Sequence, residues 1–191
     1  TLIMDRNLGT QVAWTSEVDY GCGEIGSYCS KNDKGPITVL NYLTSQINSE
    51  TETWTNIKPI ESYEYINNEN GTTNTYGYQK LVITNGAGVL TSQDGSTTNL
   101  TGTMRARLLT YEEANTLKTN NGGTTPKWLY DYLSSSNTAE KPYGYWFLTA
   151  SPSHSYSGRR MYSSGSIANS SYVYSDTNNG ARPVIELSKS L

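Results

Sequence analysis

Histidine occurs once in the 191 residues, phenylalanine once and cysteine twice, and each scarcity removes a class of chemistry. Serine or cysteine nucleophiles need an imidazole or an equivalent base beside them. The single His154 stands in SPSHSYS with no G-x-S-x-G elbow around it, so it is not expected to act as a catalytic base. The two cysteines, Cys22 and Cys29 in YGCGEIGSYCS, cannot make a zinc site alone, and the only histidine is far away in sequence. Two thiols this close in a Gly/Ser-rich stretch suggest a local disulfide and an oxidising compartment, with a pair of free thiols as the alternative.

Long apolar runs are missing too: none approaches the ~20 residues that a membrane-spanning helix requires. No signal peptide is visible, and the chain opens in mid-pattern with TLIMDRNLG, so we expect the natural N-terminus to lie upstream. Charge is sparse. The 14 basic and 17 acidic residues make up 16% of the chain and leave a net charge of -3. No basic stripe appears among them, which argues against a nucleic-acid partner. Ser, Thr, Asn and Gly fill the gap, a balance typical of extracellular β-rich proteins.

Motifs for phosphate or metal chemistry are lacking as well. SQDGSTTN and NNENGTTN resemble calcium loops only loosely, without the spaced acidic ligands. The adjacent Glu112 and Glu113 fall in the first turn of an expected helix, where the helix dipole favours acidic residues. No glycine-rich phosphate loop is present. We therefore expect no enzyme, no metal and no cofactor.

What the chain does have is tyrosine: 16 Tyr and 4 Trp against the one Phe. Tyr joins a large contact area to a hydrogen-bonding tip and few rotatable bonds, which suits binding surfaces, although it also decorates exposed strands. TLIMDRNLG opens with an apolar strand. In GPITVLNYLTSQI, the spacing of Val39, Leu43 and Ile47, with Leu40 beside them, predicts an amphipathic helix starting near Pro36. Residues 48–102 are expected to form a polar, loop-rich insertion containing a strand at YGYQKLVIT and at most one other short strand. RLLTYEEANTL carries a capping box, Thr110 with Glu113, and Asn120–Gly123 ends that helix. PKWLYDYLSSS predicts a short helix with Trp128, Leu129, Tyr132 and Leu133 on its apolar side.

From Gly144 the pattern turns to strands: GYWFLTA, then RRMYSSGSIANSSYVYS, then ARPVIEL. Between the first and last lies SPSHSYSGRRMYSSGSIANSSYVYSDTNNG, in which 17 of 30 residues are Ser, Tyr or Asn. Ser164-Gly165 predicts a hairpin turn. Strand alternation beyond it would anchor Ile167 and Val173 inward and leave Tyr172 and Tyr174 outward. With no internal repeat and no clean linker, the whole chain reads as one α+β domain.

Three segments, in order, carry a resemblance: MDRNLGT, RLLTYEEANTL, and GYWFLTASPS followed by GARPVIEL. The second is similar to the RLPTxxEWxxA motif of the formylglycine-generating-enzyme-like branch of the C-type lectin fold, with Leu109 where proline is usual. The third resembles that branch's closing GxRPVxxL strand. The resemblance implies a C-type-lectin-like fold, with two helices around mixed and antiparallel sheets and a C-terminal hairpin binding face. The enzymes of the branch use a pair of cysteines in the C-terminal part. Here both cysteines lie in the first 30 residues, so that activity does not carry over.

Other members are variable proteins of diversity-generating retroelements and their non-diversified relatives on bacterial surfaces and phage tails. In these the stretch before the closing strand forms the ligand face, and its diversified positions come from adenine-rich codons. Residues 153–179 draw largely on the amino acids such codons yield, with Met161, Ile167 and Val173 as exceptions. The resemblance thus implies an exported, cell-surface ligand-binding domain. Its partner would be a protein or glycan on another cell or host surface. The globular head of a pilin or other extracellular filament subunit is the alternative. No EPN or QPD sugar motif is present. The expected contact residues are His154, Tyr156, Arg159, Tyr162 and Asn169, followed by Ser170, Tyr172, Tyr174, Asp176 and Asn178. Tyr156, Tyr172 and Tyr174 are expected to carry most of the energy. Arg182, part of the closing motif, is expected to be structural.

Overall fold

A computed structural model describes residues 1–16, 34–49, 56–69, 71–169, 173–174 and 178–187. Cys22 and Cys29 lie outside the described residues, so the expected disulfide does too. The two ends of the chain zip together. Strand β1 (Leu2–Ile3) pairs antiparallel with β12 (Val184–Ile185). Backbone bonds continue the zip from Met4 to Pro183, Leu8 to Ala181, Val12 to Asn179 and Trp14 to Val173. On the other side of β12, Arg107 and Val184 exchange both backbone bonds. The closing strand is therefore covered on both edges, which satisfies its backbone in the interior.

Helix α1 (Ile37–Ser49) buries Ile37, Val39, Leu40, Leu43, Thr44 and Ile47, the stripe its spacing predicts. Helix α2 (Tyr111–Asn120) begins with the complete capping box. Thr110 Oγ1 accepts from the Glu113 amide, and Glu113 Oε2 accepts from the Thr110 amide. Among the described residues no helix is long and apolar enough to cross a membrane.

Strand β8 (Gly144–Ala150) is buried along its whole length. Tyr145 and Phe147 join a smaller core with Leu109, Ala114, Leu129, Met161 and Val184. Trp146, Leu148 and Ala150 join the larger one with Trp14, Leu40, Leu43 and Tyr78. A strand with apolar side chains on both faces belongs in the middle of a domain. Its neighbours are β9 (Gly158–Tyr162), with β10 (Ile167–Asn169) beyond, and on the other side β11 (Asn179–Gly180), which runs parallel to it.

Two expectations are corrected here. Residues 62–99 are not mainly loop. Strands β2 (Ser62–Ile66), β5 (Lys80–Thr84), β6 (Ala87–Thr91) and β7 (Thr97–Asn99) form an antiparallel sheet, beside the small hairpin of β3 (Asn68–Glu69) and β4 (Thr72–Thr73). The Asn85-Gly86 turn joins β5 to β6 with both residues at positive φ, the tight hairpin type such a pair favours. Tyr65, Leu81, Ile83, Leu90 and Leu100 reach the larger core from this sheet. Outward neighbours such as Glu64, Lys80, Thr84 and Thr91 are mixed with Ile66, Val82 and Val89, so the strands lack a clean alternation.

In PKWLYDYLSSS the expected short helix is present but confined to one turn, and Trp128 is not on a buried side. The segment makes one 3-10 turn, Lys127–Leu129, with Leu129 and Leu133 buried and Trp128 45% exposed. The buried Arg182 guanidinium binds the Trp128 and Leu129 carbonyls, which an α-helix would have used for its own next turn. The expected structural role of Arg182 follows from those contacts.

Candidate functional site

The Ser/Tyr/Asn-rich stretch is held chiefly from behind. Leaving β8, the chain makes a tight loop in which the Ser151 amide donates to Ser157 O and the Ser157 amide to His154 O. Ser151 Oγ accepts from the amides of Ser153 and His154, each at 3.2 Å. This local side-chain-to-backbone pattern is one for which Ser is well suited. Ser151, Ser155 and Ser157 are thereby buried, while Pro152, Ser153 and His154 stand outside. Ser153 Oγ lies 2.9 Å from His154 Nδ1, and the His154 ring leans on Tyr156 with 5.0 Å between centroids. Tyr156 is half-buried against the larger core, and its carbonyl accepts from the Val173 amide.

The expected hairpin turn is present: β9 and β10 pair Met161 with Ile167, Arg160 with Ala168 and Arg159 with Asn169. Gly165 in the turn has φ +79°, and a Cβ there would lie 2.6 Å from the Tyr130 ring. Conformation and space both require glycine. At the far end Asn178 is exposed. Its Oδ1 accepts from Asn137 Nδ2 at 2.7 Å, and its carbonyl accepts from the Tyr143 amide.

The ten expected contact residues therefore divide. His154 and Asn178 are exposed, and Tyr156 and Asn169 are half-buried at the surface. Arg159 is drawn inward by a two-pronged bond to Glu69, with its guanidinium 4.6 Å over the Tyr111 ring. Tyr162 accepts from Arg160 Nη2 at 2.7 Å and packs edge-on against Tyr143. Ser170, Tyr172 and Asp176 lie outside the described residues.

Tyr174 corrects the expected alternation. It is 8% exposed and belongs to the larger core together with Val173. Strand β10 ends at Asn169, and Val173 and Tyr174 sit in a turn, where side chains no longer alternate between faces. Tyr174→Ala is accordingly expected to lower stability by about 3 kcal/mol, as truncations of buried aromatics do. Urea unfolding would measure it, and a loss near zero would restore the outward assignment.

Composition of the 151–180 stretch could not point to its neighbours Asn137 and Tyr143. Both come from the loop before β8: Asn137 meets the stretch through Asn178, and Tyr143 meets it through Asn178, Tyr162, Arg160 and the Ser163 amide, which donates to Tyr143 O. Asn137 adopts φ +49°, a left-handed conformation that Asn tolerates better than most residues. Its Oδ1 accepts from the Tyr143 amide at 3.0 Å.

Behind this surface, burial raises the pKa of Glu112, whose Oε2 accepts from the Tyr65 hydroxyl at 3.3 Å. Burial also pushes the Tyr145 hydroxyl up to about 12, with the nearby Arg182 charge pulling the other way. Both groups belong to the frame beneath the surface. The outward groups are hydroxyls, an imidazole, amides and a tyrosine ring, which can make adaptable hydrogen bonds and flat contacts. No family model, curated protein or solved structure matches the chain.

Proposed function

We propose that the chain is a non-enzymatic, C-type-lectin-like ligand-binding domain displayed outside the cell, with its contact face on the 151–180 stretch. One observation carries this reading. Among its described residues the stretch is fixed by backbone bonds and by buried residues such as Arg160, Met161, Val173 and Tyr174, while Ser153, His154, Ser164, Ser166 and Asn178 are exposed and can be exchanged without touching the core. That division suits recognition surfaces whose side chains change while the scaffold stays.

The three segments behind the family resemblance also meet in space, which supports the fold reading. MDRNLG zips against GARPVIEL, Arg107 pairs with Val184, and the Leu148 amide donates to Leu109 O. The partner is a protein or glycan surface.

A triple variant, Ser153→Ala, His154→Ala and Asn178→Ala, tests the reading. Unfolding should stay within about 1 kcal/mol of the parent, since exposed substitutions cost little. Binding to a glycan array and to a panel of intact bacterial and animal cells should be lost. A parent protein that binds none of these, or a variant that binds equally well, overturns the contact face.

A further inference from the structure

A second feature takes none of its lining from the 151–180 stretch, although its Asn7 packs beside Gly180. Arg6, Asn7, Gly9, Tyr132, Glu140 and Lys141 border a cleft of about 410 Å³. That is toward the small end of ligand sites, roughly 300–1,000 Å³. Two cations converge on its aromatic wall: Arg6 Cζ lies 4.4 Å and Lys141 Nζ 5.7 Å from the Tyr132 ring centroid.

Arg6 is held at its guanidinium and Lys141 at its backbone. Asp5 grips Arg6 through Nε and Nη2 at 2.9 and 3.0 Å, and Arg6 Nη2 also donates to the Tyr132 hydroxyl. Lys141 closes a tight turn, its carbonyl accepting from the Thr138 amide and its own amide donating to Thr138 Oγ1 at 3.1 Å. The walls are fixed to each other as well. Arg182 joins Met4 O to the Trp128 and Leu129 carbonyls, and Gln11 Nε2 donates to Thr138 O at 2.8 Å.

The charge balance limits what fits. Asp5 already neutralises much of Arg6, whereas no carboxylate pairs with Lys141 among the described residues. Two converging cations with one unpaired ammonium favour an anionic group beside Tyr132. Glu140 on the rim disfavours a dense polyanion and offers an acceptor for hydroxyl donors.

We propose that this cleft binds a hydroxylated organic monoanion of monosaccharide size, its carboxylate at Lys141 and Arg6 and its hydroxyls toward Glu140. The site does not depend on the contact face proposed above, and its variants leave that face intact.

D-glucuronate is the probe, followed by amide NMR shifts of isotope-labelled protein at low ionic strength. Saturable shifts are expected at Gly9, Lys141 and their neighbours. D-glucose should bind at least about five-fold more weakly, and Lys141→Ala should weaken glucuronate by a similar factor, the scale of one exposed charge contact. Glu140→Gln should weaken glucuronate and leave inorganic sulfate unweakened. The proposal falls if glucuronate gives no saturable shift, or if sulfate binds the same amides as tightly. It falls equally if Glu140→Gln strengthens glucuronate. Arg6, Glu140 and Lys141 are all exposed, so an unchanged melting temperature is expected for these variants and separates lost binding from lost folding.

Discussion

Arg107→Met is expected to destabilise the protein by about 4 kcal/mol at neutral pH, a large share of the roughly 5–15 kcal/mol that holds a domain together. The Arg107 side chain is 2% exposed and joins three parts of the fold. Its Nη1 donates to Glu113 Oε2 and to Leu108 O, each at 2.9 Å, and its Nε donates to Glu186 Oε1 at 2.8 Å. The guanidinium also lies 4.4 Å over the Tyr63 ring of the second sheet. Methionine fills much of the same volume but leaves two carboxylates without their cation.

The same pair sets a pH signature. Burial pushes the Glu186 carboxyl upward, but the Arg107 charge, with the Thr1 hydroxyl bond, outweighs it and leaves the pKa below the ordinary value. A depressed folded-state pKa contributes stability that is present above the unfolded carboxylate value, about 4.3, and is lost as pH falls through the folded value. The gap between parent and Arg107→Met should therefore narrow in urea titrations run below about pH 4. A gap that stays constant with pH would mean that Arg107 acts through packing alone.

Much of this frame was legible in the sequence because local chemistry and tertiary role coincide there. Thr110 and Glu113 announce a helix start by themselves, and Glu113 then serves Arg107 as well. The stripe of Val39, Leu43 and Ile47 needed no partner to be recognised. The second sheet was harder to see. Only β5 stands out as an apolar run; β2, β6 and β7 are short and mix Ser62, Glu64, Ala87, Gly88, Thr97 and Asn99 among few apolar residues, which reads as loop.

The proposed contact face was legible as a stretch but not as a set of side chains. Arg159 and Tyr162 carry the residue types of a recognition surface, yet Glu69, Tyr111, Arg160 and Tyr143 engage them from other elements. Tyr174 is buried for a different reason: it sits beside Val173 in a turn, where strand alternation does not apply. The Arg6–Lys141 cleft has no linear signature, since its two cations are brought together only by the zip of the chain ends and the turn before β8.

Arg182 provides the second large effect, and a comparison of two substitutions isolates its cause. The side chain is buried and donates through Nε to Met4 O, through Nη1 to Leu129 O and through Nη2 to Trp128 O, with its Cζ 5.0 Å from the Tyr145 ring centroid. Three diverging carbonyls require three donors in a fixed planar fork, which guanidinium has and ammonium lacks. Arg182→Met should cost about 4 kcal/mol or more, because it leaves those buried carbonyls without donors. Arg182→Lys should recover less than half of that loss, since one ammonium cannot span acceptors on two separate segments. The exposed Trp128 gives a local readout: once its carbonyl is released, its fluorescence should become more accessible to acrylamide in both variants before global unfolding. A lysine variant with parental stability would show that charge alone suffices at this position, and that the fork is dispensable.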